Sequence, residues 1–220
     1  MPSRPLQHLC LGCLIAVPAS GMLTGAELVV ADLRLGLDLR PTDFDYTVSN
    51  SLGSITGSDS FETGLGFSLR GLHAFDSPGA SGGFVLGGEG TFAYHEYGSE
   101  ESAYTTYGLR VMGGYRYAIT ENWAIGALAF AGLGLASFEI ADSTSFDDIT
   151  ADGTVLEFGA LLGTTYSLGQ HWITELEFGW LESEADMEGS GLDVTVEESG
   201  FTVFFGLNYR FGGGRPPVLE

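Results

Sequence analysis

Residues 200–211 alternate without a break. Phe201, Val203, Phe205, Leu207, Tyr209 and Phe211 fall on one face, and Thr202, Phe204, Gly206, Asn208 and Arg210 on the other. A period of two predicts a strand with one apolar and one polar face. The apolar face is more aromatic and more continuous than a solvated sheet requires. It suits a strand with lipid on one side and a barrel lumen on the other. Seven earlier segments read as strands too, at 32–40, 61–75, 83–95, 104–117, 123–138, 155–168 and 172–181. In the first, Leu33, Leu35, Leu37 and Leu39 oppose Asp32, Arg34, Gly36, Asp38 and Arg40; in the last, Trp172, Leu176, Phe178 and Trp180 oppose Glu175, Glu177 and Gly179. Segment 123–138 is apolar on both faces and holds three glycines. It is short for a helical span and is read as a strand over a helix.

Eight strands are joined by connections that alternate in length. Tight turns lie near 76–79, 120–122 and 169–171, and long polar, acidic connections near 41–60, 96–102, 139–153 and 182–198. This layout predicts an all-β fold: an eight-stranded antiparallel up-and-down transmembrane β-barrel with its long loops facing outward. Only helices and closed barrels satisfy their backbone in hydrocarbon, which excludes an open sheet if lipid is the solvent. Tyr104, Tyr117, Trp123, Tyr166, Trp172, Trp180 and Tyr209 stand near strand ends and are expected to form interfacial girdles. The alternative is a secreted soluble barrel or sandwich, with the apolar face inside.

Charge chooses between the two. The chain of 220 residues has 29 acids, eight basic residues that are all arginine, and a formal charge of -21. That excludes a nucleic-acid partner, while 44% hydrophobic residues exclude disorder. By parity Arg34, Arg40, Arg70, Arg110, Arg116 and Arg210 all fall on the glycine-bearing face, with Asp32, Asp38, Glu62, Glu89, Glu157, Glu175 and Glu177. A face crowded with both signs and with glycine suits a narrow lumen closed by ion pairs. The lumen set is therefore Arg34, Asp38, Arg40, Glu62, Arg70, Glu89, Arg110, Arg116, Glu157, Glu175, Glu177 and Arg210. Counting from the turns puts Glu89 between Arg70 and Arg110, and brings Glu175, Glu177 and Arg34 to Arg210 in the periplasmic third.

Residues 1–26 read as a cleaved signal peptide, with Arg4, the apolar run 9–17 and small residues at 24–26. Cys10 and Cys13 both lie within it, so residues 27–220 hold no cysteine. A lipoprotein acylated at Cys13 is the weaker alternative. The barrel is assigned to 27–211 and a flexible tail to 212–220.

Over residues of about 27 to 211 the chain resembles the small eight-stranded outer-membrane barrel family, the OmpA/OmpX-like group. Gly206, Tyr209 and Phe211 match that family's carboxy-terminal assembly signal, which the barrel assembly machinery reads; here residues 212–220 follow the signal. The resemblance implies the bacterial outer membrane, with its lipid and lipopolysaccharide as partners, a monomer, and a role in envelope integrity or surface adhesion through a surface ligand. Function on such a scaffold lives in what the barrel displays.

Chemistry is sparse. Residues 27–220 hold His73, His95 and His171. His171, beside Trp172 in a turn, and His73, on the lipid-facing parity, read as interfacial residues. His95, followed by Glu96, Tyr97 and Ser99, is the one candidate base, read as a solvated rim residue. No His-x-Ser motif occurs, so no catalytic residue, cofactor or metal site is assigned. A lipid-modifying enzyme of the lipid A deacylase type and a small-conductance porin are the alternatives to a structural role. The long connections carry 18 of the 29 acids, seven of them in 182–198. They read as a solvated surface, with the gathering of divalent cations as the functional alternative. The stretch 147–153 is faintly similar to a calcium loop but lacks the full spacing.

Overall fold

The computed structural model describes residues 32–39, 43–60, 64–75, 81–97, 102–140, 149–189 and 191–210. Ten strands follow one another: β1 (Asp32–Leu39), β2 (Asp43–Asn50), β3 (Gly53–Ser60), β4 (Gly64–Phe75), β5 (Gly82–Tyr97), β6 (Ser102–Ala118), β7 (Trp123–Ile140), β8 (Ile149–Ser167), β9 (Trp172–Gly189) and β10 (Leu192–Arg210). All pairings are antiparallel. The order β1-β4-β5-β6-β7-β8-β9-β10 closes on itself through β1 and β10, giving a ring of eight. The segment undecided between helix and strand is β7, and its glycines sit in a continuous ladder with β6 and β8.

β2 and β3 are additional to the ring. β1 pairs with the lower part of β10, from Asp32↔Arg210 to Leu39↔Val203. β2 pairs with its upper part, from Phe44↔Glu198 to Ser49↔Asp193. β1 and β2 thus run up the same edge of β10, one above the other, and β3 folds back on β2 through Ser51 and Leu52.

Two expectations are corrected here. The long connections are mostly sheet: 41–60 contains β2 and β3, and 182–198 is the upper half of the β9–β10 hairpin, whose strands run to Gly189 and from Leu192. Likewise β5 and β6 reach to Tyr97 and Ser102, and β7 and β8 to Ile140 and Ile149. Tyr104 belongs to no girdle, because it points inward and is fully buried.

Within the ring the predicted sidedness holds at the lower level. Leu35, Phe67, Phe84, Leu109, Leu133, Phe158, Phe178 and Phe205 stand outward, each about half to two-thirds exposed. Along β9 the outward apolar run goes from Trp172 to Trp180, roughly 27 Å of strand. Tilted as barrel strands are, this approaches the roughly 25 Å of an outward hydrocarbon band. Trp123, Tyr166 and Trp172 ring its lower margin and Trp180 its upper one.

Candidate functional site: two interiors in one barrel

The inward side chains form two chambers. The lower one holds ions. Arg34 comes up from β1 and donates through Nε to Glu175 (2.7 Å), and through its two terminal nitrogens to Glu89 and Glu177. Arg70 on β4 donates to Glu89 (3.2 Å), Glu175 (3.4 Å) and both oxygens of Glu177 (2.7 and 3.1 Å). Arg110 on β6 forks onto Glu157 (2.7 and 2.8 Å) and reaches Glu89 at 3.5 Å. Ser68 Oγ donates to Glu89, and Asn208 Nδ2 to Glu175. Glu89 stands opposite Arg70 across one ladder and opposite Arg110 across the next.

Glu175 and Glu177 meet Arg34 and Arg70. Arg210 pairs through its backbone with Asp32, and the side chains of Asp32, Asp38 and Arg210 lie outside the described set, as do residues Arg40 and Glu62. Arg116 donates to Thr165 Oγ1 at 2.7 Å and lines a small cavity together with Arg34, Arg70, Glu175 and Glu177.

Glycine creates the room. A Cβ on Gly132 would meet Arg110 Cγ and Glu157 Oε1 at 2.9 Å, and one on Gly163 would meet Glu177 Cγ at 3.0 Å. Two aromatic rings complete the lining: the Arg34 guanidinium lies 4.1 Å over Phe204, and that of Arg110 lies 4.6 Å over Phe130. Opposite the ions sits an apolar cluster of Met112, Phe130, Leu161 and Leu181. Parity alone puts these four inside, but their role as half of the plug escaped the sequence reading, which counted charges. Cavities of about 50 and 40 Å³ remain, lined by the network together with apolar residues and glycine of the wall. Each has room for a few waters at most.

The upper chamber is mostly apolar, with buried His95 and a Ser183–Glu198 hydrogen bond (3.1 Å) as polar members. Phe44, Tyr104, Ala136, Phe138, Ala151, Val155, Ala185, Met187, Val194 and Val196 pack into one buried cluster, with Tyr46, Val48 and Leu192 against it. Around it the outward face has become polar. On β9 the outward residues are Glu182, Glu184, Asp186 and Glu188, directly above Trp180. On β10 they are Asp193, Thr195 and Glu197, above Phe201. Inward parity runs unbroken from Ile173 to Met187 on β9 and from Val194 to Asn208 on β10. No bulge is needed: the chemistry of the two faces exchanges while the backbone continues. At the changeover, Trp180 Nε1 donates to Glu182 at 3.2 Å.

An outward apolar band below an outward acidic wall has one fitting environment, a bilayer with water above it. The chain has the architecture of a small eight-stranded transmembrane β-barrel. Among solved structures it is similar to Ail, the attachment invasion locus protein of Yersinia pestis, in complex with the heparin analogue sucrose octasulfate (18% identity, 83% of this chain and 99% of that one, TM-score 0.34). It is similar also to the outer-membrane protein OprG of Pseudomonas aeruginosa (15%, 84% and 97%, 0.44). A third is the outer-membrane protease OmpT of Escherichia coli (10%, 87% and 100%, 0.42). No family model and no curated protein matches the chain.

His95 is not a solvated rim residue. It points inward on β5 opposite Tyr104 and is fully buried. His171 stacks on Tyr209 at 5.5 Å, and Trp172 meets the same ring edge-on at 5.2 Å. His73 lies edge-on to Phe75 at 4.6 Å. Of the three residues matched to the assembly signal, Gly206 is buried beneath the Phe204 ring, Tyr209 packs in that lower aromatic corner, and Phe211 lies outside the described residues. Asp147 and Asp148 lie outside them as well; among those described, no three histidine, cysteine or carboxylate groups converge to hold a metal.

Proposed function

We propose that this protein is a closed outer-membrane barrel with a structural or adhesive role. It displays a rigid acidic turret on the cell surface, and its lumen passes no solute. The observation that carries the reading is the exchange of faces along β9, accompanied by the turn from apolar to polar on the outer faces of β8 and β10. A strand that is apolar-out and ionic-in below, and acidic-out and apolar-in above, is solvated by lipid at one level and by water at the next. The turret is sheet packed around its own core, so it presents a fixed surface. Lipopolysaccharide and outer-membrane lipid would surround the belt, and the barrel assembly machinery would insert it.

The lumen speaks against a porin. The Arg34–Arg70–Glu89–Glu177 layer and the Met112 cluster fill the lower chamber, and the Phe138–Met187 cluster fills the upper. For a lipid hydrolase the candidate base would be His95, which lies enclosed in the upper chamber away from the lipid-facing wall. The test is cell fractionation with gel mobility before and after boiling. Recovery from the outer membrane as a band that shifts on heating is expected. A soluble periplasmic species would overturn the proposal. Steady single-channel conductance in planar bilayers would overturn the closed lumen.

A further inference from the structure

Among the described strands the turret is not closed as the ring below it is. β3 pairs with β2 along one edge, and no described strand pairs with the other. On the far side, β5 leaves its β4 partner after Tyr94, and among the described strands His95, Glu96 and Tyr97 pair with β6. An open edge leaves alternate N–H and C=O groups facing outward as a template for another strand. Folded proteins commonly blunt such edges with lysine, proline or a bulge. The sequence of β3, Gly-Ser-Ile-Thr-Gly-Ser-Asp-Ser, has no lysine, arginine or proline and one charge.

Its two faces differ. On the inward side Ile55 is 74% exposed beside half-buried Val48, and Leu52 at the hairpin tip is 94% exposed. Among the described residues, nothing covers these two apolar side chains. On the outward side, small residues leave a groove of about 430 Å³ across β10, β2 and β3, lined by Thr195, Glu197, Asp45, Thr47, Thr56 and Ser58. Its two carboxylates, Asp45 and Glu197, are cross-strand neighbours, and Glu184 continues the row on β9.

We propose that the open edge of β3 takes up an extended cationic peptide segment of another protein as an added strand. Its alternate apolar side chains turn inward over Ile55 and Val48. Its basic side chains lie outward along the groove toward Asp45 and Glu197. The reach fits: at about 4.8 Å between strands, a residue opposite Ser58 sits about 10 Å from Asp45, which an arginine and an aspartate span together. Strand addition supplies backbone affinity, and the alternating side chains supply selectivity. Charge separates this occupant from a second copy of the chain. Two copies, each at -21, would bring their acid rows together edge to edge.

This interaction rests on the surface-display reading above, and its test is made on the purified full barrel in zwitterionic micelles, where display plays no part. The probes are an alternating Arg-Val peptide as long as β3, the same peptide N-methylated at alternate residues, a block peptide of equal composition, and a Glu-Val analogue. Expected are saturable binding of the first by fluorescence anisotropy and at least about tenfold slower hydrogen exchange at alternate amides of Gly53–Ser60. The other three should bind at least about tenfold more weakly. An Asp45→Asn, Glu197→Gln double variant should lose affinity for the Arg-Val peptide and keep the same pattern of protection at saturation. Equal binding of the N-methylated or block peptide would overturn strand addition. So would protection confined to other strands, or concentration-dependent protection of β3 without peptide, which would mark a second copy on the edge. Surface labelling of intact cells tests display separately; its failure would leave the peptide result standing.

Discussion

The lower and upper halves of β9 use the same grammar with opposite meaning. Below, Trp172, Leu176, Phe178 and Trp180 face out while Glu175 and Glu177 face in; above, Glu182, Glu184, Asp186 and Glu188 face out while Ala185 and Met187 face in. The backbone does not distinguish them. What changes is the solvent on the outer side, and the interior adjusts to it. Where lipid takes the apolar face, the residues turned inward must satisfy one another as ions. Where water takes the polar face, the inward residues build an ordinary apolar core. One continuous strand can therefore belong to a membrane protein and to a water-soluble barrel at once.

The largest effect that separates the halves should come from breaking the ionic interior. Arg34→Met leaves Glu89, Glu175 and Glu177 short of a shared cation, which should cost about 3–5 kcal/mol. Equilibrium urea unfolding in micelles reads it, and a midpoint equal to that of the parent would mean the network is not a structural plug. Removing the counterpart in the apolar interior, Phe138→Ala, should cost about 3–5 kcal/mol as well. That loss should fall on the turret. Proteolysis above Trp180 should accelerate while the heat-shifted band of the belt persists, and collapse of both together would show that the halves are one cooperative unit.

A matched pair of substitutions tests the outer faces. Leu162→Arg places a charge in the hydrocarbon band and should cost about 2–4 kcal/mol. Asp186→Arg, on the same kind of outward site above the band, should stay within about 0.5 kcal/mol. Similar penalties for the two would place the bilayer boundary elsewhere. The smallest effect comes from the acid rows. Glu184, Glu197 and Asp45 oppose one another across three strands, and like charges so placed are destabilising. Glu197→Gln should raise turret stability by roughly 0.2–1 kcal/mol at low ionic strength, and the gain should fade in about 1 M salt. Melting at the two salt concentrations measures it.

The same comparison explains what could be read from the residues. The belt was legible because leucine and aromatic alternation is loud: 32–40, 172–181 and 200–211 read as strands, and parity placed Arg34, Arg70, Glu89 and Arg110 on one wall. The turret was equally periodic. Phe44, Tyr46 and Val48 alternate with Asp45, Thr47 and Ser49, and Ala185, Met187, Val194 and Val196 alternate with acids. It read as loop because its acids were counted rather than phased, and because its inward residues are mostly small. Tyr104 shows the same slip in one residue, since its parity with Arg110 already turned it inward. That β3 would carry an open edge was not legible at all, because strand order above the ring depends on pairings between distant segments that no local pattern encodes.

β10 alone among the described strands pairs with three others: β9 along its length, β1 at its foot and β2 at its head. The Phe204 ring, wedged over Gly36 and Gly206, sits where the seam between β1 and β10 shuts. This last described strand is thus the keystone of both storeys. A ribosome must translate through residue 210 before either can be locked, and any frameshift upstream of residue 192 yields a product with no way to complete its circumference.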